Sequence, residues 1–572
     1  MTNLGKASNA RPGDQDEDEG KPGNQTAFFE DVNLYTSDKA LKEAVAREGG
    51  SHASRALVSF GLVCGSADYY ERARLANEHM PELHTHNALG ERIDEVRYHP
   101  AYHELMEIAC SESLHCAPWL HLVNKQGSPS EDQQVARAAG LYLAGQVEPG
   151  HLTSISMTHA AVPALIKDAE LADKWLPLIV SRSYDPTPEA AEEKRSISVG
   201  LGLTEKQAGS DVRDTMTIAE PCDAASPTSD SAGVYELKGH KWFLSAPMSD
   251  AFLMTARTGD ALSCFFVPRL LEESRRNGIS FQRLKKKLGN RSCATAEAEL
   301  VGTRGYLIGE LGDGTAVIAD TLSQLRLDRA VLSTALMRQA LAQAIHHSEH
   351  RSAFGKRLVD QPLVGQVLAD LALDVEAATA LVFRLARSLD RRKDQQAGAW
   401  MRLMTPVTAF WTTKIASGMI SEVLECLGGN SYIDDMPVAR AYREAPANAL
   451  MAGTGNVLVL DVLRVLQREP EMLNVVMDDL AAASADDPHL NAAHKRIESI
   501  LHDPRQLDLR GRALTEGIAV LAAGTILRAH APAAVAEAFI ATRMGSLNRQ
   551  TYGQGVDWAD TRAIIARASP SS

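Results

Sequence analysis

Eight apolar residues, Val364, Leu368, Leu371, Val375, Ala378, Val382, Leu385 and Leu389, recur at alternating steps of four and three. On a helix of 3.6 residues per turn that spacing puts all eight on one stripe. Pro362 stands just ahead, where a first helical turn tolerates a missing N–H, and Arg391, Arg392 and Lys393 follow, where cations favour the helix dipole. The pattern predicts one long helix whose stripe has to be covered, by this chain or by a second subunit. Leu325, Leu332 and Leu336 predict a similar helix before it. Thr405–Leu427 predicts another after it, stopped by Gly428-Gly429. A bundle of long antiparallel helices is the expected architecture here.

The texture changes along the 572 residues. From 31 to 195 the pattern is mainly helical, with stretches such as Val135–Ala144 and Ala164–Leu176, and it ends in a linker-like Ser183-Tyr-Asp-Pro-Thr-Pro-Glu-Ala. From 196 to 310 short β-type runs take over: Ile197–Leu203, Val234–Lys238, Phe252–Thr255, Ser263–Val267, Ile279–Leu284 and Thr295–Val301, bounded by Gly, Pro, Asp and Ser. Many short strands at this spacing suggest a small barrel or sandwich between helical parts. Gly309-Glu-Leu-Gly-Asp-Gly314 reads as a turn before a helix. The expected class is α+β: an N-terminal helical domain (31–195), a middle β domain (196–310), a helical bundle (311–468) and a helical extension (469–572). Residues 1–30, with the acidic knot Asp14, Asp16, Glu17, Asp18 and Glu19, read as a disordered acidic tail.

Charge and apolar runs narrow the partners. Fifty-nine basic against 73 acidic residues give a net charge of −14, so nothing global attracts nucleic acid or an anionic membrane. The most apolar run, Ile518 to Leu527, falls far short of the ~20 residues a spanning helix needs. Seven scattered cysteines, odd in number and never in a C-x-x-C pair, read as reduced thiols of a cytoplasmic protein. His346, His347 and His350 lie close on one predicted helix, but no acidic or cysteine ligands stand near in sequence, and no metal is expected.

The common nucleotide and hydrolase signatures are missing: there is no G-x-G-x-x-G after a strand, no G-x-x-x-x-G-K-[ST] and no G-x-S-x-G. What remains is an ordered set of short motifs: Leu203-Thr-Glu-Lys-Gln-Ala-Gly-Ser-Asp211, Lys241-Trp-Phe-Leu-Ser245, Lys287-Leu-Gly-Asn-Arg291, Arg351-Ser-Ala-Phe-Gly355, Glu425-Cys-Leu-Gly-Gly-Asn-Ser-Tyr432 and Gly453-Thr-Gly-Asn456. In this order the set resembles the acyl-CoA dehydrogenase family. Asn33-Leu-Tyr, Gly239-His-Lys-Trp-Phe, Leu288-Gly-Asn-Arg-Ser and Leu460-Asp-Val-Leu-Arg-Val-Leu466 are similar to its AidB branch, which also carries a C-terminal helical extension.

The resemblance implies FAD as cofactor. A flavin ring needs an apolar slot with donors along one edge. Thr204 offers a hydroxyl at a strand end, Trp242 a stacking face, and Ser245 stands where the family's hydroxyl donates to N5. Arg351, Gly428, Gly429 and Thr454 stand where the family binds the pyrophosphate, partly from a neighbouring subunit. Ser210, Phe354 and Asn456 join the cofactor set by the same resemblance, and Arg291 is a candidate substrate contact. A homotetramer follows from FAD contacts that cross subunits.

One departure matters. Most of the family carries, before the Gly-Thr of the last motif, a glutamate that removes the substrate's α-proton. Here Ala452 occupies that place and cannot take a proton. Some members put the base on an earlier helix just before an arginine, which makes Asp328, followed by Arg329, the candidate substitute. The implied activity is an FAD-dependent oxidoreductase acting on an acyl thioester, possible carrier CoA, or a related small substrate. A flavin monooxygenase or oxidase, which needs no α-proton base, is the first alternative. The second is DNA binding in the alkylation response, a property of the AidB branch. Residues 471–572 hold ten Lys/Arg against twelve Asp/Glu, a net of −2, which disfavours DNA.

Overall fold

In the computed structural model, which describes residues 23–124, 132–222, 233–503, 505, 507–545, 551–556 and 558–570, the periodic stripe is a single helix, Pro362–Asp390. Every stripe residue is buried except Val364 in the first turn, which is half-buried. The stripe packs inside this chain, against the helices Gly314–His350 and Gln395–Leu427. The helix's other faces are covered as well, by Leu507–His530 and Thr561–Ala568 of the extension. Arg543, on the extension helix Ala533–Met544, reaches Asp370 at 2.5 Å and Asp374 at 2.7 Å. The last helix pairs Arg567 with Glu376 at 2.8 Å and with Glu43 near the N-terminus at 2.5 Å.

The helix after the stripe ends at Leu427, where Gly428 takes a φ of +72°. Its start differs from the expectation: it begins at Gln395, ten residues before Thr405, with Asp394 accepting from the Ala397 N–H at 2.9 Å. Pro406 lies inside it and breaks the pattern that a helix reading follows. In the N-terminal domain the expected Ala164–Leu176 helix is two, Leu152–Leu165 and Ala169–Ile179, because Asp168 turns out of the helix and caps the second.

A hairpin, β1 (Glu82–His86) and β2 (Arg92–Arg97), interrupts the N-terminal helices in the stretch expected to be mainly helical. One of its buried positions is Asp94, held by Arg92 and Arg276, so the strand hides no apolar alternation for sequence to show. The middle domain contains β3 (Val199–Gly202), β4 (Ile218–Pro221), β5 (Val234–Ser245), β6 (Ala251–Thr258), β7 (Ala261–Pro268), β8 (Ile279–Leu284) and β9 (Thr295–Ile308). Of these only β4 has no counterpart among the expected runs. The pairings run in a circuit: β5 to β9, β9 to β7, β7 to β6, and β6 through β3 and β4 back to β5. That circuit is compatible with the barrel alternative. Leu237, Phe252, Met254, Phe265 and Phe281 fill its interior.

Residues 1–22 of the expected tail lie outside the described residues, whereas 23–30 are described and docked. Asn24 donates to the Ser352 carbonyl at 2.9 Å, and Phe29 is buried in the main core. Among the described residues no helix is long and apolar enough to cross a membrane. Cys64, Cys110, Cys116, Cys264, Cys293 and Cys426 are free thiols.

Candidate active site at a three-domain junction

Motifs that are separate in sequence meet at the ends of β3 and β5. Leu201 pairs with Ser245 across these strands, and the Trp242 N–H donates to the Thr204 carbonyl at 2.8 Å. What locks the two segments is a pair the sequence reading left without a role. Glu205 and Lys241, both fully buried, form an ion pair at 2.8 Å. Glu205 also accepts from the Thr217 hydroxyl and the Met216 N–H, and Lys241 donates to the Thr255 carbonyl. Burial alone would raise the Glu205 pKa, but Lys241 and these hydrogen bonds outweigh it and hold it down to about 2 from an ordinary 4.5. A depressed carboxylate pKa stabilises the fold above its unfolded value, and that contribution is lost as pH falls toward the folded value. The stability gap between wild type and Glu205→Gln is therefore expected to be full above about pH 4.5 and to narrow progressively below it, read from denaturation midpoints in a pH series. A gap that widens in acid would contradict this account of the pair.

Thr204, Trp242 and Ser245 are half-buried, with polar or ring edges still open. The Ser245 hydroxyl lies 3.4 Å from that of Thr295. Lys285 Nζ sits 3.1 Å from the Trp242 ring centroid, so a cation covers the ring that the resemblance assigns to stacking. Beside this edge the domains converge on a small apolar cluster. Met157 and Ala160 come from the helix Leu152–Leu165, Ala246 and Cys293 from the β domain, and Leu325 from the helix Gly314–His350. Leu201, Leu322 and Ala452 pack against it, partly exposed. The cluster is apolar, and Ala246 and Ala452 contribute small side chains to it.

Ala452 has φ +58°, an uncommon conformation for a residue with a side chain. Arg326 holds it there: Nε donates to the Ala452 carbonyl at 3.0 Å, while Nη1 pairs with Asp461 at 2.5 Å. Leu460-Asp461, read only as a branch motif, thus anchors the loop.

Asp328 is fully buried, and both its oxygens bind Arg137, each at 2.7 Å. Burial works against its charge, but the Arg137 guanidinium prevails and keeps the carboxyl below the usual range. Arg137 also donates to the Leu114 carbonyl at 2.6 Å. A carboxylate committed bidentately to a guanidinium is poorly placed to accept a further proton. Its neighbour Arg329 is buried without any hydrogen-bond partner for its side chain among the described residues. Sequence reasoning missed Arg137, which stands in no recognisable spacing, and named Arg329 only as the residue that follows Asp328.

The remaining predicted residues lie apart from this cluster. Arg351 donates to the Asn24 carbonyl at the end of its helix, and Phe354 beside it is 97% exposed at φ +53°. Gly428 and Gly429 are exposed, and an added Cβ on either meets nothing within 4 Å. Thr454 is the N-cap of Gly455–Arg468 without a side-chain capping bond, and Asn456 accepts from Arg512 of the extension at 2.9 Å. Ser210 is exposed in the loop after β3. Arg291 is half-buried and faces Asp434 at 3.5 Å.

Comparison with known proteins bears on this arrangement. Residues 24–186 match the adaptive response protein AidB N-terminal domain, 200–302 the acyl-CoA dehydrogenase middle domain, and 312–467 the acyl-CoA dehydrogenase C-terminal domain. The AidB protein of Escherichia coli (strain K12) is 40% identical over 518 residues, covering 90% of this chain and 93% of that protein. Acyl-CoA dehydrogenase family member 11 of Caenorhabditis elegans is 30% identical over 457 residues, covering 76% of this chain and 71% of that one. The crystal structure of Caenorhabditis elegans ACDH-11 in complex with C11-CoA superposes with a TM-score of 0.80 at 25% identity, over 98% of each chain. Domain order, motif order and full-length similarity agree: the chain belongs to the acyl-CoA dehydrogenase family of FAD-dependent oxidoreductases, in its AidB-like branch.

Proposed function

We propose that the junction around Ala452 is the substrate face of the flavin site, and that the enzyme oxidises a small acyl substrate there, with an acyl thioester as the first class to test. The observation that carries this is the convergence of Met157, Ala246, Cys293, Leu325 and Ala452 beside the open edge of Thr204, Trp242 and Ser245. The C11-CoA bound to the ACDH-11 relative supports the thioester. FAD, when bound, supplies the electron acceptor. Ser245 and Thr204 would orient the ring through its polar edge, Ala246 and Leu325 would exclude water from its face, and the Glu205–Lys241 pair would hold the two binding segments in register. Arg351, Phe354, Gly428 and Gly429 face outward, and Tyr432 nearby in sequence is 89% exposed. A homotetramer that covers these surfaces would complete the pyrophosphate site.

Protein incubated with FAD and then desalted is expected to stay yellow and to retain stoichiometric flavin. A colourless protein overturns the reading.

One observation favours a second chemistry on the same scaffold. Ala452 has no basic group and Asp328 is held by Arg137, so no free base stands at either expected place. A monooxygenase or oxidase reaction needs none, and oxygen uptake with a candidate substrate, set against reduction of an artificial acceptor, separates the two. Phosphate binding by the extension is poorly supported, because three of its ten cations are committed to ion pairs that serve the fold. Arg528 pairs with Asp487, Arg543 with Asp370 and Asp374, and Arg567 with Glu43 and Glu376. Arg384 and Arg387, a possible local patch, face Glu48, and Arg391 faces Asp132.

A further inference from the structure

Arg329 is 2% exposed, yet none of its three side-chain nitrogens has a hydrogen-bond partner among the described residues. A buried cation with no paired anion is among the costliest arrangements a fold can hold. Asp328 attracts it through space but makes no hydrogen bond to it. Asp328, next in the chain, gives both oxygens to Arg137. Lys287, half-buried, adds a second positive charge that Glu444 and Glu148 partly offset, and its Nζ is turned to the Cys293 carbonyl and the Thr295 hydroxyl.

The location gives this orphan a use. Arg329 lies one turn beyond Leu325 on the same helix, and residues four apart share a face. Leu325 belongs to the cluster with Met157, Ala246 and Cys293 against which Ala452 packs. Ala452 in turn stands where the family carries its glutamate, so the carboxylate that position would supply is absent. Leu201, Leu322 and Ala452 are the cluster's partly exposed members and mark its open side.

We propose that Arg329 is an anion subsite for the free carboxylate of a small aliphatic acid, whose apolar part rests on Met157, Ala246 and Leu325. The space freed by alanine in place of glutamate is the size of a carboxylated side-chain tip. The planar guanidinium fork matches a carboxylate in two parallel hydrogen bonds, which favours this anion over a bulkier phosphate. The proposal deepens the oxidoreductase reading by naming the substrate class of the same site, and it rests on that reading for the site's place beside the flavin.

The test is a calorimetric titration of the FAD-treated protein with sodium hexanoate and with hexanamide, its neutral counterpart. Hexanoate is expected to bind about tenfold or more tightly than the amide, as a charge-assisted pair requires. Arg329→Gln is expected to bring the acid down to the amide's affinity. Ala452→Glu should do the same by setting a like charge against the acid on the substrate face, which keeps the test decisive where Arg329→Gln fails to fold. Equal affinity for acid and amide, binding of neither, or an undiminished preference in Ala452→Glu overturns the proposal. Flavin content is read on the same samples. Carboxylate preference without retained flavin counts against the oxidoreductase reading alone, and retained flavin without the preference counts against the carboxylate subsite alone.

Discussion

Ala452→Glu is expected to speed the bleaching of bound FAD by an acyl-CoA about 10²–10⁴-fold, the usual contribution of a placed general base. The backbone asks little of the substitution. Ala452 already carries a Cβ at φ +58°, and Arg326, fixed by Asp461, holds the carbonyl whichever side chain follows. That Cβ packs on the cluster with Ala246 and Leu325, so the longer side chain enters the substrate face. Ala452→Gln, equal in size and unable to take a proton, should bring no gain. Stopped-flow traces of the flavin band across acyl chain lengths provide the measurement. Equal rates in wild type and Ala452→Glu would show that a base already exists elsewhere. Silence from both at every chain length would exclude acyl-CoA as the substrate class.

Asp328→Asn is expected to destabilise the protein by about 3–5 kcal/mol, the cost of stripping one member from a buried ion pair. Arg137 would be left fully buried with a charge and no counterion, tied only to the Leu114 carbonyl. Arg137→Met should cost a similar amount, and Asp328→Leu combined with Arg137→Met should recover much of it, since two apolar residues leave no orphan charge. Denaturant midpoints of wild type, Asp328→Leu, Arg137→Met and the double variant close the cycle. Asp328 would instead be the base if Asp328→Asn kept full stability and lost the reaction rate.

The parts of the fold written locally were legible. The stripe from Val364 to Leu389 needed only the helical repeat, and the stop at Gly428 needed only glycine's freedom at positive φ. Long-range pairs were not. Arg137 and Asp328 are 191 residues apart, and nothing in an alanine-rich helix marks one arginine as the partner of a distant aspartate. Glu205 and Lys241 were visible as letters in two motifs, but only the β3–β5 pairing shows them as one ion pair. The hairpin of β1 and β2 escaped because a buried aspartate replaced the apolar residue that alternation looks for. At the candidate site the chemically empty Ala452 stood out because the motif around it was otherwise intact. Arg329 did not, since an arginine beside an aspartate reads as their mutual pair until the structure gives that aspartate to another residue.

The clamp between Arg567 and Glu43 joins residues 524 apart. At about 5–20 residues per second of synthesis, roughly 30–100 s pass between the emergence of one and that of the other. By the last third of that interval the first helix, Lys39–Arg47, and the long helix bearing Glu376 have both left the ribosome without the arginine that joins them. The native structure is thus sealed only once the helix Thr561–Ala568 has been translated, and the stages before that wait with acidic, partly covered surfaces.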